Sequence, residues 1–322
     1  MSDGILVSIL CVAFNHEKYI RDALEGFVNQ KTDFPFEVLV HDDASTDNTA
    51  DIIREYEEKY PDIIKPIYQT ENQYSKGLGL VGKLQLGRAV GKYIAYCEGD
   101  DYWTDPVKLQ KQYDAMETHP EVDICAHCGM RVNAETKECI GYIKPSDKDC
   151  ILTMEQVILG GGGYVVTNSL MYRRELIYNE PEFRKFLKLD YTLQMYGALR
   201  GGMLYLSDCM SAYRIMAKGS WTSRTYSNPE RFKKHTEKLE EMFALFDKDT
   251  NYQYSDVVKK QIEYQWFDYL YSIGDYKKAK SKNYREFYCK LPLTDRIRVN
   301  IRLYLPWLSY LKKKLTKKKC NN

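Results

Sequence analysis

The sequence predicts an α/β domain with a mixed, mainly parallel sheet flanked by helices, followed by a helical C-terminal extension. Three observations predict it. Short apolar runs alternate with amphipathic stretches over the first hundred residues, polar and acidic residues gather just after those runs, and from Pro229 onward the strand pattern gives way to helical periodicity. The 322 residues suffice for one medium domain plus an appendage, because single cores stop growing near ~250 to 300 residues. We therefore read residues 1–228 as the main domain and 229–322 as the extension.

Ile5 to Ala13 forms the first strand, short and apolar on both faces as a buried parallel strand must be. It lacks the basic leader and small-residue cleavage site of a signal peptide, so a buried strand is the expected reading. From Glu17 to Val28 the residues Ile20, Ala23, Leu24, Phe27 and Val28 recur at spacings of three and four, the stripe of a helix packed on a sheet. Phe36 to His41 is the second strand. A helix follows, capped by Ser45, Thr46 or Asp47, with Ile52, Ile53, Tyr56 and Tyr60 on one side. Ile63 to Tyr68 and Lys92 to Cys97 are further strands, with a helix over Lys83 to Ala89 between them. Asp105-Pro106 opens another helix. Beyond Val122 the pattern loosens, and the run Gly160 to Gly163 reads as a mobile loop beside the site. It is not followed by the Lys-Ser or Lys-Thr of a phosphate-binding P-loop.

Composition narrows the classes. The formal net charge of +2 gives no global reason to expect nucleic acid as a partner. Nine scattered cysteines read as reduced, cytoplasmic thiols rather than a disulfide framework, and Cys125-Ala126-His127-Cys128 lacks the second ligand pair of a zinc site. No run of 18 apolar residues exists to cross a membrane.

In open α/β sheets ligands gather outside the carboxyl ends of the strands, where loops and helix N-termini converge. Three motifs occupy that edge: Ala13-Phe14-Asn15, His41-Asp42-Asp43 and Glu98-Gly99-Asp100-Asp101. Singly each has a plain explanation as a cap or a solvated turn. Together they crowd acids on one rim, where repulsion is costly without a shared proton or a cation. Mg2+ or Mn2+ suits carboxylates plus substrate phosphates.

In motif order and spacing the chain, from about Val7 to about Ser223, resembles glycosyltransferase family 2, enzymes of the GT-A fold that use nucleotide sugars. Ser8 to Asn15 is similar to that family's first strand and aromatic-Asn turn. Val40 to Asp47 is similar to its Asp-Asp-Gly-Ser-Thr-Asp element, with Ala44 in place of Gly. Tyr93 to Trp103 resembles its Asp-x-Asp region, with Glu98 at the first acid.

The resemblance implies a nucleotide-sugar half over about 1–121 and an acceptor half over about 122–228. On the donor side it places Ala13, Phe14, Asn15, Asp43, Glu98 and Gly99, with Phe14 and Asp43 at the base and Glu98 by the ribose. Asp100, helped by Asp101, meets the metal, Mn2+ or Mg2+. Asp190 stands where the family has its acceptor base, although a carboxylate at a helix start equally suits a plain cap. The family's Tyr-Arg segment matches Ser211 to Met216, with Met216 at a frequent His. Arg214 or Lys218 then supplies positive charge to the leaving diphosphate, unless Arg214 is paired within the fold. The implied reaction moves a hexosyl or N-acetylhexosaminyl group, from a UDP-sugar, to a hydroxyl of a glycan or lipid-linked glycan with inversion. A sugar-nucleotide-binding protein without turnover is the alternative, resting on Glu98 and Met216.

The last stretch joins apolar and aromatic residues from Ile297 to Leu311 to six lysines between Lys312 and Lys319, with Pro306 dividing it. This reads as an interfacial anchor to an anionic membrane surface, placing the protein peripherally on the inner face of the cell membrane. A helix packed on the domain with a solvated tail is the other reading.

Overall fold

The computed structural model describes residues 4–77, 79–215, 225–305 and 307. The chain divides into two units, residues 1–220 and 221–322.

In the first unit β1 (Val7–Ala13), β2 (Phe36–Asp42), β3 (Ile64–Tyr68) and β4 (Tyr93–Tyr96) run parallel in the spatial order β3-β2-β1-β4. Their middles are apolar on both faces, as in Ile9, Leu10 and Cys11 or Val38, Leu39 and Val40, because helices cover both sides. Helix α1 (Ile20–Val28) buries Ile20, Ala23, Leu24 and Phe27, the stripe expected from spacing. Helix α2 (Thr49–Lys59) follows; its N-cap is Asn48, without a side-chain cap bond, rather than Ser45, Thr46 or Asp47, and Asp47 Oδ1 accepts the Thr49 N–H at 3.0 Å from just before it. Helix α3 (Leu80–Arg88) leads into β4.

The strand order reverses at β1, whose neighbours are β2 on one side and β4 on the other. A crevice opens at the carboxyl end of such a switch point, since the chain leaves the two neighbours in opposite directions. All three sequence motifs sit at that end.

Beyond β4 the sheet turns mixed, in the order β4-β9-β6-β10-β5. Here β5 (Tyr102–Trp103), β6 (Ile124–Asn133), β7 (Cys139–Ile143), β8 (Cys150–Leu152), β9 (Met171–Arg173) and the long β10 (Met203–Ile215) are joined by α4 (Lys108–Thr118), α5 (Met154–Gly160), α6 (Glu182–Phe186) and α7 (Asp190–Ala198). Strand β10 is parallel to β6 with register shifts around Cys209, and its end pairs antiparallel with β5, Ser211 facing Trp103. The shifts let one strand serve two partners. The glycine run ends α5 and lies against α7, where Gln194 donates to the Gly162 carbonyl at 3.3 Å.

The second unit holds α8 (Pro229–Asp249), α9 (Ser255–Ser272), α10 (Tyr276–Ala279), α11 (Arg285–Lys290) and α12 (Leu293–Tyr304). Asn228 caps α8 by accepting from the Glu230 and Arg231 N–H groups, with Pro229 at its first position. Phe267, Leu270, Ala279 and Phe287 form a small aromatic-rich core. No helix among the described residues is long and apolar enough to cross a membrane. Met216, Lys218, Pro306 and the lysine cluster lie outside the described residues.

Behind β5, Lys108 is fully buried. Its ammonium lies 3.8 Å from the Trp103 ring centroid and donates to Gln112 Oε1 at 2.7 Å. Burial pushes its pKa down to about 7, while the ring face favours the cation. Unfolding restores an ordinary lysine, so from about pH 7 to near 10 the unfolded state holds a proton the folded state lacks, and stability rises with pH there. Urea midpoints at pH 6 and pH 9 should therefore show the wild type gaining on Lys108→Met by on the order of 2 kcal/mol between the two. Parallel changes in both proteins would contradict a buried, depressed lysine.

Candidate active site

The first wall of the crevice is the turn after β1. Asn15 adopts a left-handed φ of 57°, which asparagine tolerates. Its side-chain oxygen accepts from the Thr46 N–H at 2.8 Å, and its own N–H donates to Ser45 Oγ at 2.9 Å. Asn15 thus zips the first turn to the second, leaving Phe14, 43% exposed, at the lip.

After β2 the Asp43 N–H donates to the Ala13 carbonyl at 2.9 Å, extending the strand pairing past its end. The Asp43 carboxylate is buried and accepts from the Gln73 N–H at 2.7 Å and the Tyr74 N–H at 3.0 Å, with His41 Nε2 at 3.4 Å. Burial holds His41 below its ordinary pKa, hence neutral. Asp43 therefore organises the loop bearing the half-exposed Tyr74, an engagement between distant backbone groups that has no local sequence signal. Its neighbour Asp42, also buried, leaves Oδ1 without a partner.

The third motif is the turn Glu98 to Asp101, closed by the Asp101 N–H donating to the Glu98 carbonyl at 3.1 Å. The Cys97 and Gly99 N–H groups reach the Leu10 and Val12 carbonyls at 3.1 and 2.9 Å, drawing this turn against β1. Gly99 permits the approach: a Cβ there would lie 2.9 Å from Ile20 Cδ1 and 3.1 Å from Ala13 Cβ.

Glu98, Asp100 and Asp101 bring carboxylate oxygens within 4.8 Å of one another, the one such group of three among the described residues. Glu98 reaches solvent, yet desolvation by the protein around it, then the charges of Asp100 and Asp190, push its pKa up to about 8. Asp101 is buried and raised well above the usual carboxylate range by desolvation, then by Asp100. Both its oxygens accept, from the Arg214 N–H at 2.8 Å and Asn168 Nδ2 at 3.1 Å. No described residue hydrogen-bonds the carboxylates of Glu98 or Asp100. An all-oxygen set in which two of the three carboxylates take no hydrogen bond from a described residue fits a hard divalent cation.

Arg214 does not face the crevice. Its side chain is wholly buried, ion-paired with Asp22, lodged between the Tyr19 and Tyr102 rings, and donating to the Asp100 carbonyl at 2.6 Å. The internal-pairing alternative describes it, and it braces the acidic turn from beneath.

Across the crevice Asp190 is exposed at the first position of α7. No described helix N–H donates to its carboxylate. Instead Thr192 Oγ1 bonds the Leu189 backbone, and the Asp190 carboxylate accepts the Thr167 hydroxyl. A plain cap is therefore not its role. Its charge is among those that raise the pKa of Glu98 and Tyr213, so it lies near the acidic turn. Two residues that sequence reasoning passed over, Thr167 and Asn168, hold carboxylates of the site. They lie in a short turn without periodicity.

A family model described as glycosyl transferase family 2 matches residues 8–181. An uncharacterized protein of Mycobacterium tuberculosis is 38% identical over 226 residues, 70% of this chain and 63% of that protein. The chain thus spans under two thirds of the length of that relative. A UDP-Glc:alpha-D-GlcNAc-diphosphoundecaprenol beta-1,3-glucosyltransferase of Escherichia coli is 36% identical over 113 residues, 35% of this chain and 42% of the enzyme. Among solved structures, Staphylococcus aureus TarS 1-349 in complex with UDP aligns over 91% of this chain and 77% of its own, with a TM-score of 0.59 at 19% identity, a likeness of fold.

One local departure is measurable. Ala44 holds a left-handed φ of 62°, where a Cβ costs roughly 1–2 kcal/mol. Ala44→Gly should raise stability in urea denaturation by up to about 1 kcal/mol after glycine's larger unfolded entropy is discounted. A lower midpoint would show that the turn depends on the methyl group.

Proposed function

The chain belongs to glycosyltransferase family 2 and has its GT-A architecture, and from that premise we propose that it transfers a hexosyl or N-acetylhexosaminyl group from a UDP-sugar to a hydroxyl of a glycan acceptor, with inversion. The observation that carries this reading is that Asp190 and the Glu98 to Asp101 turn are joined at the switch-point edge through adjacent residues, Thr167 bonding Asp190 and Asn168 bonding Asp101.

On this reading Phe14 and Tyr74 flank the base. Asp43, whose oxygens keep spare lone pairs after binding the 73–74 amides, accepts a base N–H. Ala13 and Gly99 let the nucleotide approach the backbone, and Glu98 lies toward the ribose. Asp100, with Asp101 behind it, would hold Mn2+ or Mg2+, and a bound cation supplies charge compensation for the departing nucleoside diphosphate. Lys218 remains the candidate for direct contact with that diphosphate. Asp190 takes the acceptor proton as its oxygen attacks the anomeric carbon, and a single base with a single attack gives inversion. The UDP choice draws on the names of the Escherichia coli and TarS relatives, and the lipid-linked acceptor on the former.

A panel of UDP- and GDP-sugars with Mn2+, read as nucleoside diphosphate release, tests the reading. Turnover should fall by about 100-fold or more in Asp100→Ala and in Asp190→Asn. Binding of a sugar nucleotide without any turnover would favour the inactive binding protein, and a product of retained configuration would exclude the single-base mechanism.

A lipid-linked acceptor also gives the extension a purpose. Helix α12 leaves Leu293, Ile297 and Tyr304 49–69% exposed at helical spacing along one side, and Trp307, past the helix end, is also exposed. Between Leu293 and Asn322 nine lysines and arginines stand against one acid, Asp295, so the rest of the chain is net acidic. An exposed apolar stripe beside concentrated positive charge suits the anionic inner face of a cell membrane. Full-length protein should sediment with phosphatidylglycerol vesicles at low salt, and removal of Arg302–Asn322 should leave it in the supernatant. Equal sedimentation of both would exclude this anchor.

A further inference from the structure

We propose that the turn Thr167–Ser169 is a strut fixing Asp190 relative to the acidic turn, with Thr167 aiming the Asp190 carboxylate and Asn168 holding that of Asp101. The inference rests on the reading in which Asp190 takes the acceptor proton and the acidic turn receives the cation.

Adjacent residues of this one turn reach acids on separate elements. The Thr167 hydroxyl donates to Asp190 Oδ2, and Asn168 Nδ2 donates to Asp101 Oδ2 at 3.1 Å. The Asn168 amide has no freedom to flip. Its Nδ2 also donates to the Ala212 carbonyl at 2.9 Å, while its oxygen accepts the Ser211 hydroxyl at 2.6 Å. Reversal would set its one oxygen against two acceptors, Asp101 Oδ2 and the Ala212 carbonyl, and its NH2 against the Ser211 hydroxyl.

The strut is pinned from behind by its own carbonyls. Trp103 Nε1 donates to the Asn168 oxygen at 2.9 Å, and Gln112 Nε2 to the Ser169 oxygen at 2.8 Å. Gln112 is in turn held by the buried Lys108. Asn168 and Ser169 are buried, and Thr167 is half-buried at the crevice wall. A polar turn whose side chains and carbonyls are all committed moves little, so the two carboxylates it touches keep a set separation. A base must stay within hydrogen-bond reach of the acceptor hydroxyl while the diphosphate stays at the metal, and a common mount for both meets that demand.

These are positioning residues, and hydrogen-bonding partners behind metal ligands and bases typically account for about 10–100-fold in affinity or activity. Thr167→Val keeps the side-chain shape and removes the hydroxyl. It should lower kcat for nucleoside diphosphate release about tenfold or more, leave Mn2+ binding in the presence of UDP unchanged by electron paramagnetic resonance, and be rescued by Thr167→Ser. Asn168→Ala should instead weaken that Mn2+ binding about tenfold, with kcat recovering at saturating Mn2+. Ser211→Ala, which only unlocks the Asn168 amide, should weaken Mn2+ binding in the same direction and serves if Asn168→Ala fails to fold.

A normal Thr167→Val beside an inactive Asp190→Asn would overturn the strut and leave the underlying reading intact. Fully active Asp190→Asn would overturn both. Equal losses of melting temperature, kcat and Mn2+ affinity in all three variants would mark the turn as merely structural and overturn the proposal.

Discussion

Three carboxylates share one four-residue turn with their oxygens within 4.8 Å of one another, and their mutual repulsion is the constraint on which the rest of the site depends. Left alone, such a turn would splay its acids into solvent, since repulsion between like charges grows as the surrounding dielectric falls. Here the backbone forbids it. The Gly99 amide is tied to Val12, Arg214 grips the Asp100 carbonyl from below, and Asn168 with the Arg214 amide holds both oxygens of Asp101. A proton or a cation relieves the repulsion, and desolvation with the charges of Asp100 and then Asp190 pushes the Glu98 pKa up to about 8.

The supports of that turn are buried charges that could not stand by themselves. Arg214 costs several kcal/mol to desolvate and is tolerable only because Asp22, two tyrosine faces and a carbonyl surround it. Removing one partner would leave the other stranded, so the arrangement supplies specificity of position rather than stability. The same reasoning explains why a neutral asparagine, not a second cation, meets Asp101. A neutral donor orients the carboxylate without cancelling the charge a metal would need.

Much of the scaffold was legible in the sequence because burial imposes local periods. The α1 stripe and the two-faced apolar strands each follow from spacing alone, and the three motifs at the strand ends located the crevice. What stayed illegible were commitments between distant residues. Arg214 meets a partner 192 positions away, so its sequence neighbourhood equally suits a phosphate contact. Asp190 looks like a cap until the Thr167 hydroxyl is placed on its carboxylate. Thr167 and Asn168 fall in a segment with no period to read, and Asp43 is engaged by amides of a loop 30 residues on.

If the turn is built to receive a cation beside a nucleoside diphosphate, binding must displace protons that repulsion now retains. Calorimetric titration of Mn2+ with UDP present, near neutral pH in two buffers of different ionisation enthalpy, tests this most directly. The account predicts saturable binding that releases protons, and its loss in Asp100→Ala. Absence of binding, or binding that is proton-neutral and indifferent to Asp100, would contradict it.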